Sequence, residues 1–258
     1  MQRIHPIPAF SDNYIWTLID PSGERACVVD PGDATPVIDY LTANNLTLTD
    51  ILITHHHPDH TGGIAELAER YSPTVYGPVN ERIQGITQRL QEGANIEVYG
   101  LRFSIIEVPG HTLDHIAYFS KTSDMPLLFC GDTLFAAGCG RLFEGTPETM
   151  LTSLEKLAAL PAETQVYCTH EYTLANLRFA AAVEPDNQDL LARIATEQDK
   201  RAADKPTLPS NLTIEFATNP FMRCTTPTIK AAAEQYAGHA VDTKVEVFAA
   251  VRRWKDNF

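Results

Sequence analysis

Short apolar runs alternate with polar turns through the first two thirds of the chain, and this pattern predicts strands interleaved with helices. Two β-rich runs are joined by Pro21-Ser22-Gly23, a combination typical of a hairpin. Strands are predicted over 14–19, 25–30, 74–76, 96–99, 101–108, 115–119, 126–130 and 164–168. A further short apolar run covers 51–53. Helices are predicted over 33–41, 64–71 and 147–160, the last with a proline near its start.

The pattern changes after Tyr172, where alanine-rich helical periodicity replaces the strands. Helices are predicted over 174–183, 189–203, 226–236 and 244–254, with a proline-containing loop at 205–209. We therefore expect an α/β domain over residues 1–172 and a mostly helical domain over 173–258.

Charge and cysteine usage narrow the classes of partner and compartment. The formal net charge of −13 would repel a phosphate backbone, although cations cluster at Arg252-Arg253-Trp254-Lys255. The sequence contains no apolar run long enough to span a bilayer, and its start lacks the pattern of a secretory signal. None of the five cysteines forms a C-x-x-C pair, which favours buried thiols in a reducing compartment. We expect a cytoplasmic monomer that binds a small molecule, with no nucleic-acid or membrane partner.

The strongest local signal is Thr54-His55-His56-His57-Pro58-Asp59-His60, which follows an apolar run and precedes Gly62-Gly63 and a helix. Imidazole and carboxylate groups on one strand-to-helix turn can converge on a point, and they suit zinc, iron or manganese. A solvated loop is the alternative, but it leaves this density of histidine unexplained. The segment therefore predicts a metal site.

Three further polar residues follow predicted strands, namely His111 in Pro109-Gly110-His111-Thr112, Asp132 in Cys130-Gly131-Asp132-Thr133, and His170. Taken singly, each could be a cap or a satisfied core residue. Their shared position after an apolar strand favours ligands that converge at one edge of a layered sheet.

The motif order H-x-H-x-D-H, P-G-H-T, C-G-D-T and a late lone histidine resembles the metallo-β-lactamase superfamily. Within it, the sequence is similar to the hydroxyacylglutathione hydrolases, also called glyoxalase II, from Ile7-Pro8-Ala9-Phe10 to Lys255-Asp256. The narrower similarity is carried by Gly138-Cys139-Gly140-Arg141-Leu142-Phe143-Glu144-Gly145-Thr146, by His170-Glu171-Tyr172-Thr173 and by the basic C-terminus.

The resemblance implies a four-layer αββα sandwich followed by a smaller helical domain. It also implies two bound divalent metal ions, for which zinc is expected and iron or manganese are the alternatives. It implies two ligand groups and one shared carboxylate: His55, His57 and His111 for the first ion, Asp59, His60 and His170 for the second, and Asp132 for both. Asp59 and Asp132 would also be the catalytic carboxylates. His56 alternates away from its neighbours on the strand, and we expect His115 to have a supporting or structural role.

The family reaction is hydrolysis of S-(2-hydroxyacyl)glutathione, chiefly S-lactoylglutathione, by a metal-bridging hydroxide. It yields glutathione and D-lactate, as the second step of methylglyoxal detoxification. By the same resemblance, the glutathione-binding residues are Arg141, Phe143, Tyr172, Arg252 and Lys255. For Arg252 and Lys255 the alternative is a solvated helix end that complements the helix dipole. The sequence departs from relatives at Phe143, where some have tyrosine, and at Asp114, where glycine is usual.

Other readings account for less of the sequence. A mononuclear-iron persulfide dioxygenase of the same superfamily would use one metal site, whereas this chain retains candidate ligands for two. A β-lactamase or nuclease would leave the basic C-terminus unexplained, and an inactive metal-binding scaffold would be expected to lack a ligand. The sequence contains no Gly-x-Ser-x-Gly elbow, which disfavours a serine nucleophile.

Overall fold

A computed structural model describes residues 3–121 and 125–258, which group into two compact units. One unit consists of the chain up to Glu107 together with Asp114–Gly131, and the other consists of Val108–Leu113 together with Asp132–Phe258. Within the described residues, no helix combines the length and apolar character needed to cross a bilayer.

The first unit holds most of the strands and three short helices. Its strands are β1 Arg3–Ala9, β2 Asn13–Ile19, β3 Arg25–Val29, β4 Thr47–Leu52, β5 Thr74–Pro78, β6 Gln88–Leu90, β7 Asn95–Val98, β8 Leu101–Glu107, β9 Ile116–Ser120 and β10 Leu127–Gly131. Its helices are α1 Ala34–Ala43, α2 Pro58–Thr61 and α3 Ile64–Tyr71.

Strands β1 to β6 form one mixed sheet in chain order. The hairpins β1–β2 and β2–β3 are antiparallel, whereas β3, β4, β5 and β6 run parallel. Apolar side chains from this sheet pack with α1 and α3 in a core that includes Val28, Ile51 and Leu67. Because parallel strands end at the same edge of a sheet, the segments after β3 and β4 emerge together, and these segments begin with Asp30 and Ile53.

Strands β7, β8, β9 and β10 pair in turn as antiparallel neighbours in the same unit. Tyr118 in β9 is buried, and its hydroxyl donates to the carbonyl oxygen of Ile53 at 2.8 Å. This hydrogen bond fixes the chain just before the histidine cluster.

The second unit is mainly helical. Its helices are α4 Pro147–Ala158, α5 Thr173–Val183, α6 Gln188–Ala202, α7 Leu212–Thr218, α8 Pro227–Ala237 and α9 Lys244–Asp256, with a 3-10 turn at Pro220–Met222. Its short strands are β11 Leu134–Phe135, β12 Gly138–Cys139, β13 Gln165–Cys168 and β14 Ser210–Asn211. Strands β11 and β12 form a tight hairpin, and β13 pairs with β14.

Helix α9 is anchored at both ends. Thr243 caps its first turn in a reciprocal pair with Glu246. Near its end, Trp254 packs edge-on against the buried Phe179 of α5, with ring centroids 5.5 Å apart. The basic residues of this helix are thereby held in a defined position in their unit.

The predicted elements agree with the structure to within a few residues, except where short or proline-containing segments intervene. Helix α3 spans 64–71 as predicted, and β4 begins four residues earlier than the apolar run at 51–53. Strands β1, β6, β11, β12 and β14 and helices α2 and α7 were not predicted.

Candidate functional site

The first unit carries the histidine cluster, in the turn between β4 and α2. The Nε2 atom of His55 and the Nδ1 atom of His57 face each other at 3.0 Å. His60 lies in α2, and its Nε2 is 3.4 Å from Asp59 Oδ2. The ligand atoms of His55 and His60 lie within 4.8 Å of each other. Four of the predicted ligands are therefore close together in this unit.

The buried carboxylate of Asp30 organises this turn. It accepts hydrogen bonds from the backbone N–H and the hydroxyl of Thr54, both at 2.7 Å, and it lies 3.0 Å from His60 Nδ1. The Thr54 hydroxyl, having donated to Asp30, can accept from His55 Nδ1 at 3.0 Å. The Thr54 hydroxyl next to His55 Nδ1 and the Asp30 carboxylate next to His60 Nδ1 favour a proton on each Nδ1, which leaves the Nε2 lone pairs for a cation.

Asn13, at the start of β2, supports Asp59 from the other side. Its side-chain amide donates to Asp59 Oδ2 at 3.2 Å and to the Asp59 carbonyl oxygen at 3.4 Å. Asn13 is buried, so these contacts fix the orientation of the carboxylate.

His56 and Asp114 form a separate polar pair beside the cluster. The Nδ1 atom of His56 is 2.8 Å from Asp114 Oδ1, and Asn80 donates to the other carboxylate oxygen at 2.7 Å. Asp114 is not among the residues with positive φ, so this turn does not require glycine. The aspartate instead anchors the side chain of His56.

The second unit carries the other three predicted ligands. The Nε2 atoms of His111 and His170 each lie 3.4 Å from Asp132 Oδ2. The Nδ1 atom of His111 donates to the carbonyl oxygen of Arg141 at 2.9 Å, so its Nε2 lone pair faces the carboxylate. A lone pair and a carboxylate repel each other unless a cation lies between them.

The donor chemistry therefore fits metal binding in both units. Imidazole lone pairs and carboxylate oxygens are the groups that zinc, iron and manganese bind. Hydrogen bonds on the far side of the His55 and His111 rings orient these rings, as is usual for metal ligands. The same arrangement, with Nδ1 directed at an acceptor and Nε2 at a carboxylate, occurs at His60 and at His111.

The predicted substrate residues of the second unit divide into exposed and buried groups. Phe143 is 63% exposed and packs edge-on against His111, while the half-exposed ring of Tyr172 stacks on His170 with ring centroids 4.6 Å apart. Arg141 is exposed at the start of the same loop as Phe143. These three side chains are accessible to a ligand, and Arg141 also lies 3.6 Å from Asp256 Oδ1.

Arg252 is buried, and its guanidinium donates to the Cys139 carbonyl oxygen and to Asp256, both at 2.9 Å. Lys255 is half-buried, 3.4 Å from the carbonyl oxygen of Ala175. Burial lowers the pKa of Lys255, and the charges of Arg252, Arg178 and Arg141 lower it further. The two cations are thus part of the packed end of α9. The alternative of a solvated helix end does not hold for Arg252, because its side chain is buried.

Sequence reasoning did not assign roles to Asn13, Asp30 and Asp114. Asn13 and Asp30 lie within the stretch that is similar to the hydroxyacylglutathione hydrolases, but that similarity alone does not indicate what their side chains do. Asp114 stood out only as a departure from glycine.

Two family models match adjoining parts of the chain: residues 15–170 match the metallo-beta-lactamase superfamily, and residues 171–258 match the hydroxyacylglutathione hydrolase C-terminus. The chain is 55% identical to a hydroxyacylglutathione hydrolase of Pseudomonas paraeruginosa, over 100% of both chains. Among solved structures, it is similar to ETHE1 from Myxococcus xanthus, with a TM-score of 0.67 at 24% identity over 98% of this chain and 91% of that one. It is also similar to TTHA1623, solved in a di-iron-bound form, with a TM-score of 0.54 at 26% identity over 64% of this chain and 91% of that one.

Proposed function

We propose a thioesterase function on the premise that this chain belongs to the hydroxyacylglutathione hydrolase family of the metallo-β-lactamase superfamily. The family and the fold expected from the motifs are thereby confirmed. The proposed reaction is hydrolysis of S-(2-hydroxyacyl)glutathione, chiefly S-lactoylglutathione, to glutathione and a 2-hydroxy acid. The observation that supports it most directly is that imidazole Nε2 atoms lie 3.4 Å from carboxylate oxygens at His60, His111 and His170, in a chain of this family.

Divalent metal ions are implied by the superfamily and by the clustered histidine and aspartate ligands. We assign His55, His57 and His111 to one ion, Asp59, His60 and His170 to a second, and Asp132 to both. Zinc suits this imidazole-rich set, and iron or manganese are the alternatives. When bound, such ions lower the pKa of a coordinated water and polarise the thioester carbonyl.

The carboxylates of Asp59 and Asp132 have a second role in the proposed reaction. Each can accept a hydrogen bond from the attacking water and so direct its lone pair at the carbonyl carbon. The leaving group is the glutathione thiolate. Its conjugate acid is a cysteine thiol, and the pKa of a free cysteine thiol is about 8.5. The thiolate can depart without a strong general acid, which agrees with a site built from metal ligands alone.

The proposed substrate site uses the remaining residues according to their exposure. Arg141 would pair with a glutathione carboxylate, Tyr172 would donate its phenolic hydrogen to the peptide, and Phe143 would form an apolar wall. Lys255 would add charge at the end of α9. Arg252 is buried and would act indirectly, because its hydrogen bond to the Cys139 carbonyl oxygen in β12 holds the chain just before Arg141.

We further propose that residues 1–172 form the catalytic domain and 173–258 the glutathione-binding domain. The two family models, which meet at residues 170 and 171, support this division.

We propose that the protein is a monomer that acts in the cytoplasm, without a nucleic-acid partner. The five buried, free cysteines favour a reducing compartment.

The test is hydrolysis of S-lactoylglutathione, followed at the thioester absorbance, with metal analysis of the same sample. We expect turnover by protein that holds two metals per chain, and much weaker activity on a lactoyl thioester that lacks the glutathione peptide. A fully metallated protein without turnover would contradict the proposal. A single iron per chain, with oxygen uptake on glutathione persulfide, would indicate the dioxygenase instead.

A further inference from the structure

The hairpin formed by β11 and β12 links Asp132 to Arg141 in the second unit. Its turn contains Ala137 at a φ of +56°, a conformation that alanine rarely adopts. Such a turn persists only where its surroundings hold it.

Three buried side chains from the helical segment bind the backbone of four consecutive hairpin residues. Glu215 of α7 accepts from the Ala137 N–H at 2.8 Å, and Asn176 of α5 donates to the Ala136 carbonyl at 3.0 Å. Asn219, just after α7, donates to the carbonyl oxygens of Phe135 and Gly138 at 3.2 and 2.9 Å. The polar backbone groups of the turn are therefore satisfied by side chains far along the chain.

Glu215 is the centre of this network. It is fully buried, and it accepts hydrogen bonds from Arg193 at 2.7 Å, from Asn219 at 2.9 Å and from Ser210. Removing one member of a buried charged pair is costly because the other charge is left without compensation. Replacing such a pair by apolar groups is often neutral for stability, so stability alone does not explain a charged residue here.

The base of the hairpin packs directly on Asp132. The N–H of Gly140 donates to the Thr133 carbonyl oxygen at 3.2 Å. A Cβ atom added at Gly140 would overlap the carbonyl oxygen of Asp132 and come within 3.0 Å of His111 Nδ1. A shift of the hairpin would therefore move the Asp132 backbone at one end and Arg141 at the other.

We propose that Glu215, acting through the turn at Ala137, is a positioning residue that sets the orientation of the Asp132 carboxylate for metal binding. Through the same hairpin it sets the start of the Arg141 loop. The inference rests on the proposed function, in which Asp132 is a metal ligand. It assigns to α7, remote in sequence from every predicted ligand, control over the geometry of the metal centre.

The test compares E215Q with E184Q. Glu184 is also buried in the second unit, where Arg223 donates to it at 2.9 and 3.0 Å and Thr228 at 2.7 Å, and none of these partners belongs to the hairpin. Each oxygen of both carboxylates accepts from two donors, and a glutamine replaces one of these oxygens by an NH₂ group, so at either position two donors are left facing an N–H. The two variants therefore lose similar interactions, and only one of them disturbs the turn.

Both variants should lower the melting temperature of the metal-free protein. Only E215Q should weaken Co²⁺ binding, measured by competition with a chelator, by about tenfold or more, the effect typical of groups that orient metal ligands. It should also change the visible absorption spectrum of bound Co²⁺. Equal Co²⁺ affinities and spectra in E215Q and E184Q would overturn the proposal.

Asn176→Ala provides a milder disturbance if E215Q does not fold, because it removes one hydrogen bond to the turn. It should weaken Co²⁺ binding several-fold, and unchanged binding and spectrum would again overturn the proposal. All of these measurements omit substrate. Wild-type protein that binds two metals without hydrolysing S-lactoylglutathione would refute the proposed function and leave the positioning role standing.

Discussion

Asn13 shows how one amide can prepare a carboxylate for a metal ion. It donates to Asp59 Oδ2, the oxygen that faces His60 Nε2 at 3.4 Å, and so fixes the orientation of the carboxylate while a lone pair stays available for a cation. We predict that Asn13→Ala lowers metal affinity by about 10- to 100-fold, since groups that orient metal ligands have effects of this size. Competition with a chelator measures the change.

Asn95→Ala is the matched control, because Asn95 is exposed in β7 and donates to the Gly93 carbonyl at 3.0 Å. It should leave metal affinity unchanged. If Asn13→Ala and Asn95→Ala bind metal equally well, the orientation of Asp59 does not depend on Asn13.

Lys255 gives a pH dependence whose direction follows from its surroundings. Burial, followed by repulsion from Arg252, Arg178 and Arg141, lowers its pKa below the ordinary lysine value of 10.5. Its positive charge is therefore lost at a lower pH than that of an exposed lysine. We predict that KM for S-lactoylglutathione rises as the pH increases through this lowered pKa, because the cation that would attract a carboxylate disappears.

Lys255→Arg distinguishes this effect from other alkaline effects, because arginine stays charged throughout the range. The variant should show a flatter dependence of KM on pH, measured after subtraction of spontaneous thioester hydrolysis. Identical curves for the two proteins would exclude Lys255 as the titrating group.

At the scale of elements, α9 depends on its first turn. Thr243 accepts from the Glu246 N–H, and the Glu246 carboxylate accepts from the Thr243 N–H at 2.8 Å. We predict that Thr243→Ala lowers the free energy of unfolding by about 0.5–2 kcal/mol, the usual cost of a lost N-cap. KM should change little, because Arg252 is fixed by Cys139 and Asp256 at the other end of the helix.

Denaturant unfolding measures the loss, and Thr243→Ser should restore most of it because serine caps as well as threonine. A serine variant as unstable as the alanine variant would mean that the methyl group, and not the hydroxyl, stabilises this end of α9.

Elements with a full period of apolar residues could be predicted from the sequence, and shorter ones could not. Helix α3 places Ile64 and Leu67 on one buried face between Gly63 and Ser72, so its limits follow from the pattern. Strand β1 contains Pro6 and Pro8, which indicate a break, yet it lies at the edge of its sheet, where proline is tolerated. Strands of two or three residues, such as β6 and β14, are too short to show a period.

The candidate ligands stood out because motif order groups them, and their roles as ligands remain predictions. The residues that hold them in place could not be found in the same way. Glu215 and Asn219 are single polar residues in a helical segment, and the sequence does not distinguish a buried glutamate from a solvated one. Their partners at Phe135 and Ala137 are backbone atoms, so no pairing of side-chain types reveals the contact.

At the scale of the whole molecule, the proposed ligands follow β4, β8, β10 and β13, so segments far apart in the sequence, from His55 to His170, must fold before all of them can bind metal. Ions that bind only the folded chain stabilise it by mass action, by about 2.7 kcal/mol when free metal is 100-fold above its Kd. For a chain of this size that corresponds to roughly 5–10 °C in melting temperature. We predict that a chelator removes this stabilisation and that added Zn²⁺ restores it.

His170→Ala should abolish most of the response to metal, because it deletes a proposed ligand. His239→Ala is the matched control, since His239 is exposed and its Nδ1 donates to the neighbouring Ala240 carbonyl oxygen at 2.8 Å. That variant should keep the wild-type shift. The comparison holds the residue type constant and changes only its place in the fold, so an equal shift in both variants would show that the stabilising metal is bound away from His170.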